Sequence, residues 1–312
     1  MKSLGQQYRK AVVLGAAGFV GINLVQELCN QGYEVVCFDR HASPHWPSIV
    51  RSIVGDFSAH PAELIEELDH ALIFHLVSSC CPSNQTAHAT EELNRDLLAT
   101  IGYLEATKNR NTRWVFLSSG GTVYGQSDAE ILTEASPTNP ICTYGAVKLA
   151  IEKYFSIYNT LHKLDCVIVR LSNPYGPWQL PGRGQGLIAV LLHKALKREK
   201  IEIWGDGEQV RDYIYIADAI SGMCSAAVLG RSGEIYNVGT GHGYSIKQLV
   251  AHIERSKSWI LDLGYAPARA VDVKSNVLSN KKIYSHVGWR PVVNIESGIF
   301  LASNWMEQNP CD

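Results

Sequence analysis

The chain opens with a regular alternation of short apolar runs and longer segments that have helical spacing. Residues 11–14 and 34–38 are almost continuously apolar, which is typical of strands buried on both faces of a parallel sheet. The segment between them, residues 22–30, has the spacing of a helix, and Gly32 suits the cap that ends it. This stretch therefore predicts a strand–helix–strand unit whose second strand ends at Asp39.

The same alternation continues to about residue 175. Further strands are expected at residues 51–54, 71–77, 113–117 and 165–171, and helices at 61–68, 91–108 and 144–161. Strands that alternate with helices predict an α/β protein built on a doubly wound parallel sheet of the Rossmann type.

The pattern changes after residue 176. Residues 178–186 are rich in glycine and proline, and they are followed by short strands at 201–204 and 235–239 and by helices at 187–198 and 246–254. We therefore expect a Rossmann domain over residues 1–175. Residues 176–312 are expected to form a smaller C-terminal α/β substrate lobe, with strands that return to the main sheet.

Composition excludes several classes of protein. The 312 residues carry a net charge of -2, so no basic footprint points to nucleic acid or an anionic membrane. The polar N-terminus lacks the pattern of a signal peptide, and no run reaches the roughly 20 apolar residues of a membrane span. The eight cysteines include no Cys-x-x-Cys pair, which disfavours a metal site and a disulfide framework and favours reduced thiols in the cytoplasm.

A glycine-rich turn separates the first strand from the first helix. Gly15, Gly18 and Gly21 are spaced so that they allow a tight turn, close approach of the backbone to a pyrophosphate and close helix–strand packing. The phosphates then lie at the helix N-terminus, where free N–H groups favour anions. Asp39 is placed to bond the adenosine ribose, which favours NAD over NADP, although the neighbouring Arg40 could accommodate a 2′-phosphate.

A second candidate site lies in the helix predicted at 144–161. Tyr144 and Lys148 are four residues apart, so they share one helix face. A nearby ammonium lowers the pKa of a phenol from its usual value of about 10, so Tyr144 can act as a base nearer neutral pH. Upstream, Ser118 and Ser119 end a strand at the edge where doubly wound sheets bind ligands, and Thr122 follows them.

Together these residues resemble the extended short-chain dehydrogenase/reductase family, in particular its nucleotide-sugar branch typified by UDP-glucose (UDP-galactose) 4-epimerase. The resemblance covers about residues 10 to 300. The motifs that carry it are Gly15-x-x-Gly18-x-x-Gly21, Gly55-Asp56-Phe57, Ser118-Ser119 before Val123-Tyr124-Gly125, Tyr144-x-x-x-Lys148, Arg170-x-x-Asn173-x-Tyr175-Gly176-Pro177, Trp204-Gly205-Asp206-Gly207-x-x-x-Arg211-Asp212-Tyr213 and Arg269-x-x-Asp272.

The resemblance implies a tightly held NAD and a nucleotide-sugar substrate. The residues that it assigns to the cofactor are Gly15, Gly18, Phe19, Val20, Gly21, Asp39, Arg40, Asp56, Phe57, Leu76, Val77, Ser118, Tyr144 and Lys148. Those that it assigns to the substrate are Asn173, Trp204, Arg211 and Arg269. An aromatic face suits a nucleotide base, and a guanidinium fork matches the geometry of a diphosphate.

The chain departs from the family pattern at the strand end. The family places its catalytic Ser or Thr where this chain has Gly120, so Ser119 or Thr122 must supply the hydroxyl, and we favour Thr122. Cys142 also replaces the Ser that commonly lies two residues before the catalytic Tyr. Dehydratases of the branch carry an Asp-Glu pair, and decarboxylases a Glu, where this chain has Gly121 and Thr122, which disfavours both reactions.

The leading hypothesis is therefore an NAD-dependent epimerase acting at C4 of a UDP-hexose or UDP-N-acetylhexosamine. One alternative is a reductase of 4-keto nucleotide sugars that exchanges NADPH. Another is a non-catalytic dinucleotide-binding protein on the same fold. The resemblance also implies a homodimer in which the long helices at 91–108 and 144–161 form the interface.

Overall fold

The computed structural model describes residues 7–79, 89–182, 186–267 and 273–310. Its strands are β1 (Lys10–Leu14), β2 (Glu34–Asp39), β3 (Arg51–Val54), β4 (Ala71–His75), β5 (Arg113–Ser119), β6 (Asp165–Leu171), β7 (Asn173–Tyr175), β8 (Ile201–Trp204), β9 (Val210–Tyr215), β10 (Ile235–Val238), β11 (Gly243–Ser245), β12 (Leu263–Ala266) and β13 (Ser275–Asn276). Its α-helices are α1 (Phe19–Asn30), α2 (Ala62–Glu67), α3 (Ala89–Glu92), α4 (Ala99–Thr107), α5 (Thr143–His162), α6 (Leu187–Lys197), α7 (Ile216–Leu229), α8 (Ile246–Lys257), α9 (Lys281–Val287) and α10 (Ile295–Gln308).

A seven-stranded parallel sheet forms the centre of the molecule. Its strand order is β3-β2-β1-β4-β5-β6-β10, so the direction of winding reverses between β1 and β4. Ligands of doubly wound sheets bind at such a reversal, beyond the carboxyl ends of the strands. The side chains of β1 explain why the run is continuously apolar: Ala11 and Val13 pack in one core and Val12 and Leu14 in the other. The predicted fold class is confirmed.

The C-terminal part has a core of its own. In it β9 pairs with β7, β11 and β13, while β8 pairs with β12, and α6, α8 and α10 pack around them. The chain leaves this part through α7 and contributes β10 to the edge of the main sheet, beside β6. The division at residue 175 stays a prediction. Among the described helices, none has the length and apolar character needed to cross a membrane.

One predicted element has a different form. The helix expected over residues 91–108 consists of α3, a π-helical segment at Leu93–Leu98 and α4. Within it the hydroxyl of Thr100 donates to the carbonyl of Asp96 at 2.5 Å, and the Asp96 carboxylate accepts from the backbone N–H of Ser79. The wider turn thereby brings a buried carboxylate of this segment to the loop after β4, a feature that helical periodicity does not reveal.

Candidate active site

The glycine-rich turn fits tightly between β1, α1 and the loop after β4. Gly15 has φ +86°, and a Cβ atom there would lie 3.0 Å from the backbone nitrogen of Val77. At Gly21 a Cβ atom would lie 2.3 Å from the carbonyl oxygen of Gly15. Gly18 precedes α1 without a side-chain cap, so the first N–H groups of this helix face the cleft that Phe19 and Val20 line.

Acidic residues follow at the ends of β2 and β3. The Asp39 carboxylate accepts from the backbone N–H groups of Ala17 at 2.9 Å and Arg40 at 2.7 Å. A carboxylate has about four lone-pair sites, so Asp39 retains acceptor capacity toward the cleft. The Ser58 hydroxyl, with the Ser58 N–H, lowers the pKa of Asp56. Phe57, the next residue, is buried with its ring centroid 4.5 Å from that of a tyrosine on α4.

Helix α5 presents Tyr144 to the cleft and keeps Lys148 behind it. The Lys148 side chain is buried, and its Nζ lies 5.8 Å from the centroid of the Tyr144 ring. The same Nζ donates to the carbonyl of Val77 at 3.3 Å, which ties α5 to the end of β4 where Leu76 also lines the cleft. The predicted Tyr–Lys face is therefore present, with its charge next to the phenol and away from water.

The hydroxyl-bearing residues after β5 point in different directions. Ser118, Ser119 and Thr122 all line the cleft, but the hydroxyl of the buried Ser118 donates to Glu152 on α5. The Thr122 Oγ1 is buried and has no hydrogen-bond partner among the described residues. Gly145, which the sequence analysis did not single out, lets this turn approach α5, because a Cβ atom there would lie 2.9 Å from the carbonyl oxygen of Thr122.

Gly120, where the family pattern has its hydroxyl, is closely packed by residues that lie far along the chain. Its N–H donates to the Leu171 carbonyl at 2.8 Å, and its carbonyl accepts from the Asn276 side chain at 3.0 Å. A Cβ atom at Gly120 would lie 2.3 Å from Cδ1 of the buried Leu278. Position 120 is therefore filled by packing from the C-terminal part of the chain.

Three residues predicted to bind the substrate line another part of the cleft, which we call the substrate side: Asn173, Trp204 and Arg211. The Asn173 side chain donates to the backbone carbonyl of Asp212 at 2.9 Å, and an Arg211 Nη1 donates to the preceding carbonyl at 2.8 Å. Trp204 ends β8 with 43% of its surface exposed. Arg269, the fourth predicted substrate residue, lies outside the described residues.

A buried carboxylate fixes this side. Asp212 accepts from the N–H and hydroxyl of Thr240, at 2.9 and 2.7 Å, and from the N–H groups of Gly241 and Leu278. Burial raises the pKa of Asp212, and the hydrogen bonds act against that shift. Asp212 belongs to a motif of the sequence, but its supporting role cannot be predicted from that motif, because its hydrogen-bond donors come from distant loops.

Two residues of the π-helical segment, Arg95 and Asp96, also line the cleft and were not among the predicted site residues. Asp96 accepts from the Ser79 N–H at 2.9 Å and from the Ser78 hydroxyl at 3.3 Å, and so holds the loop after β4. The sequence feature that could have indicated them is a pair of adjacent charged residues inside an otherwise helical pattern. Among the described residues, no group of three or more His, Cys, Asp or Glu could hold a metal ion.

The cleft has a volume of about 1620 Å³. Pockets for a single small ligand measure roughly 300–1,000 Å³, so this one has room for a dinucleotide and a second ligand. Except for Lys148, which lies behind Tyr144, every predicted site residue that the structure describes lines it.

Comparisons with known proteins identify the family of the chain. Residues 11–239 match the family described as the NAD dependent epimerase/dehydratase family. The chain is 30% identical to the UDP-glucose 4-epimerase of Mycolicibacterium smegmatis, over 93% of this chain and 96% of that protein.

Solved structures are similar over nearly the whole chain. The UDP-glucose 4-epimerase of Thermotoga maritima with UDP-glucose has a TM-score of 0.90 at 27% identity, covering 96% of this chain and 99% of that one. That of Thermus thermophilus in complex with NAD has a TM-score of 0.88 at 29% identity, with the same coverage. These matches confirm the resemblance inferred from the motifs, and the chain belongs to the NAD dependent epimerase/dehydratase family.

Proposed function

We propose that this protein is an NAD-dependent epimerase that inverts C4 of a nucleotide sugar, a UDP-hexose or UDP-N-acetylhexosamine, through a transient 4-keto sugar. The observation that carries the proposal is that Tyr144, backed by the buried Lys148, faces the same cleft as the glycine-rich turn. The UDP-glucose 4-epimerases to which the chain is similar support the reaction and the class of substrate.

The residues present fit NAD. Gly15, with its left-handed backbone, and the uncapped N-terminus of α1 form a cavity that can hold a pyrophosphate. Larger side chains at these positions would fill that cavity. Asp39, at the end of β2, has acceptor sites left for ribose hydroxyls, and Asp56 and Phe57 would meet the adenine. When bound, NAD supplies a hydride acceptor and donor at the sugar carbon.

Tyr144 acts as the base that removes the proton of the 4-hydroxyl. Lys148 stabilises the phenolate, because its ammonium lies near the ring in a site from which water is largely excluded. Thr122 bonds the same hydroxyl and orients it, with Ser119 as the other candidate. The unpartnered Thr122 Oγ1 supports this choice, since a buried hydroxyl without a partner is costly until a ligand supplies one.

The substrate side holds the nucleotide while the sugar turns. Arg211 and Arg269 bind the diphosphate, Asn173 contacts it, and Trp204 lies against the base. Binding energy far from C4 then anchors a sugar that can present either face to the cofactor. Gly121 and Thr122 offer no acid for dehydration or decarboxylation, so the reaction is confined to C4.

We also infer a homodimer and a cytoplasmic location. On the outer face of α5, Ile157 and Leu161 are 45% and 69% exposed, which supports burial against a second copy through α4 and α5. The described cysteines at positions 29, 37, 142, 166 and 224 are free, which agrees with a reducing compartment. Light scattering of purified L161E, compared with wild type, tests the dimer, since a charge in this interface should yield monomers.

The first experiment identifies the nucleotide released from the purified protein by its spectrum and mass. The protein is then incubated with UDP-glucose or UDP-N-acetylglucosamine without added cofactor. We expect bound NAD and a new C4 epimer from one or both sugars, and Y144F should be about 10²–10⁴-fold slower because it lacks the base.

Two outcomes would contradict the proposal. Turnover only with a 4-keto sugar and NADPH would indicate the reductase. Bound NAD without turnover of any nucleotide sugar would indicate a non-catalytic dinucleotide-binding protein.

A further inference from the structure

Three aromatic side chains from separate parts of the chain meet at the cleft. They are His45, in the segment after β2, Trp178, in the loop after β7, and Trp305, near the end of α10. The ring centroids of His45 and Trp178 are 4.1 Å apart, and those of Trp178 and Trp305 are 5.1 Å apart at an interplanar angle of 65°. All three residues line the cleft, and we call them the aromatic clasp.

Residues next to the clasp form hydrogen bonds with the glycine-rich turn and with α1. Trp46, the residue after His45, donates its indole N–H to the carbonyl of Ala16 in the glycine-rich turn at 3.0 Å. The carbonyl of Pro177, the residue before Trp178, accepts a hydrogen bond at 3.0 Å from the side chain of Asn23 on α1. These bonds place the clasp beside the pyrophosphate cradle, while its third ring belongs to the C-terminal part of the molecule.

The backbone of Trp178 is held in a rare conformation. Its φ of +71° is in the left-handed region, which a bulky side chain seldom occupies. The turn around it is fixed by bonds from Gln179, whose N–H donates to Gly176 and whose amide donates to Pro174. Strained residues of this kind concentrate at ligand clamps and active sites, where the surrounding structure enforces them.

We propose that the aromatic clasp is a cofactor-retaining element that keeps NAD in the cleft through successive turnovers. It joins the segment after β2 to α10 across the cleft beside the glycine-rich turn. The rings of His45 and Trp178, which are in contact at an interplanar angle of 37°, must separate before a dinucleotide leaves. The proposal rests on NAD binding and does not depend on which sugar is the substrate.

The test measures the rate at which NAD leaves the protein, without any sugar nucleotide. Wild type, W178A, W178F and H45A are loaded with labelled NAD, chased with excess unlabelled NAD and sampled by rapid gel filtration. We expect release to be at least about tenfold faster in W178A, severalfold faster in H45A and close to wild type in W178F, which keeps an aromatic ring that can contact His45. Activity of W178A should fall on dilution and recover when NAD is added.

The matched control is H252A, which removes a histidine ring that contacts Tyr244 at 5.6 Å and does not line the cleft. Release from H252A should equal that of wild type. Wild-type release rates in W178A and H45A would overturn the proposal, as would equal rates in W178F and W178A. Because His45 is exposed, H45A decides the question if W178A does not fold. Epimerase activity is measured separately, so failure of the clasp and failure of the proposed function are distinguishable.

Discussion

Two buried carboxylates support the two sides of the cleft, and their partners differ in kind. On the side of the cleft where the cofactor is predicted to bind, which we call the cofactor side, Glu152 of α5 faces the guanidinium of Arg170 on β6. Nη2 lies 2.6 Å from Oε2, and Nε lies 3.0 Å from Oε1. On the substrate side, the hydrogen bonds that Asp212 accepts come from the backbone and a hydroxyl, from Thr240, Gly241 and Leu278.

Because Glu152 faces a cation and Asp212 faces neutral donors, the two sides of the cleft should respond differently to mutation and to pH. Burial alone would lower the pKa of Arg170, but Glu152 raises it, so the guanidinium stays charged and the pair is fixed. Asp212 faces neutral donors, and burial raises its pKa. Helix α5 is therefore held by an ion pair that is lost if one partner is removed. The substrate side is held by hydrogen bonds whose strength depends on pH.

The largest effect is expected from breaking the ion pair. R170M leaves the Glu152 charge buried without a cation, which should lower the free energy of unfolding by about 3–5 kcal/mol, as measured by urea denaturation. The double variant R170M/E152L removes both charges and should recover most of the loss. A loss below about 1 kcal/mol in R170M would mean that Glu152 tolerates burial alone, and the contrast with Asp212 would disappear.

The second prediction concerns Asp212. D212N places an amide donor among N–H donors, so we expect the free energy of unfolding to fall by about 2–3 kcal/mol. We also expect a higher KM for the nucleotide sugar, because Arg211 precedes Asp212 in β9 and Asn173 donates to the Asp212 carbonyl. The pKa of Asp212 is higher in the folded protein, so its contribution to stability is complete below the unfolded value of about 3.9 and is lost as the pH rises through the folded one.

The pH dependence supplies the check on that prediction. Urea denaturation between pH 4 and pH 7 should show the advantage of wild type over D212N shrinking as the pH rises. An advantage that grows with pH would show that the hydrogen bonds outweigh the cost of burial.

The third prediction tests the point where the two sides meet. Gly120 ends the cofactor side and packs on Leu278, whose N–H donates to Asp212. G120A forces a methyl group against that side chain and should cost about 2 kcal/mol, whereas G121A serves as the control because its Cβ atom would lie 3.6 Å from its nearest neighbour. G120A/L278A should regain part of the loss. If G120A were as stable as G121A, position 120 could have held the family hydroxyl.

The cofactor side could be predicted from the sequence because its signals are local. Gly15, Gly18 and Gly21 lie in one turn, and Tyr144 and Lys148 lie on one helix, so spacing alone brings each set together. The doubly wound sheet followed from the same alternation of apolar strands and helices.

The remaining features depend on contacts between distant residues. From the sequence, Gly120 could be recognised only as a position where the family hydroxyl is absent. In the structure its carbonyl accepts a hydrogen bond from Asn276, which is 156 positions away in a segment with no predicted strand. The π-helical turn that brings Asp96 to the cleft depends on packing, and the meeting of His45 with Trp178 depends on loops with no periodicity.

The smallest changes in the free energy of unfolding are expected when one hydroxyl is removed on each side of the cleft. S118A removes a donor to Glu152, and T240V removes a donor to Asp212, and each should cost about 1 kcal/mol. The Thr240 hydroxyl favours the ionised form of Asp212, so its loss raises the pKa further and the cost of T240V should grow between pH 4 and pH 7. In S118A, Glu152 is still paired with Arg170, so the stability cost of S118A should stay nearly constant between pH 4 and pH 7. Urea denaturation at both pH values decides the comparison, and an equal pH response would remove the distinction between the ion pair and the neutral donors.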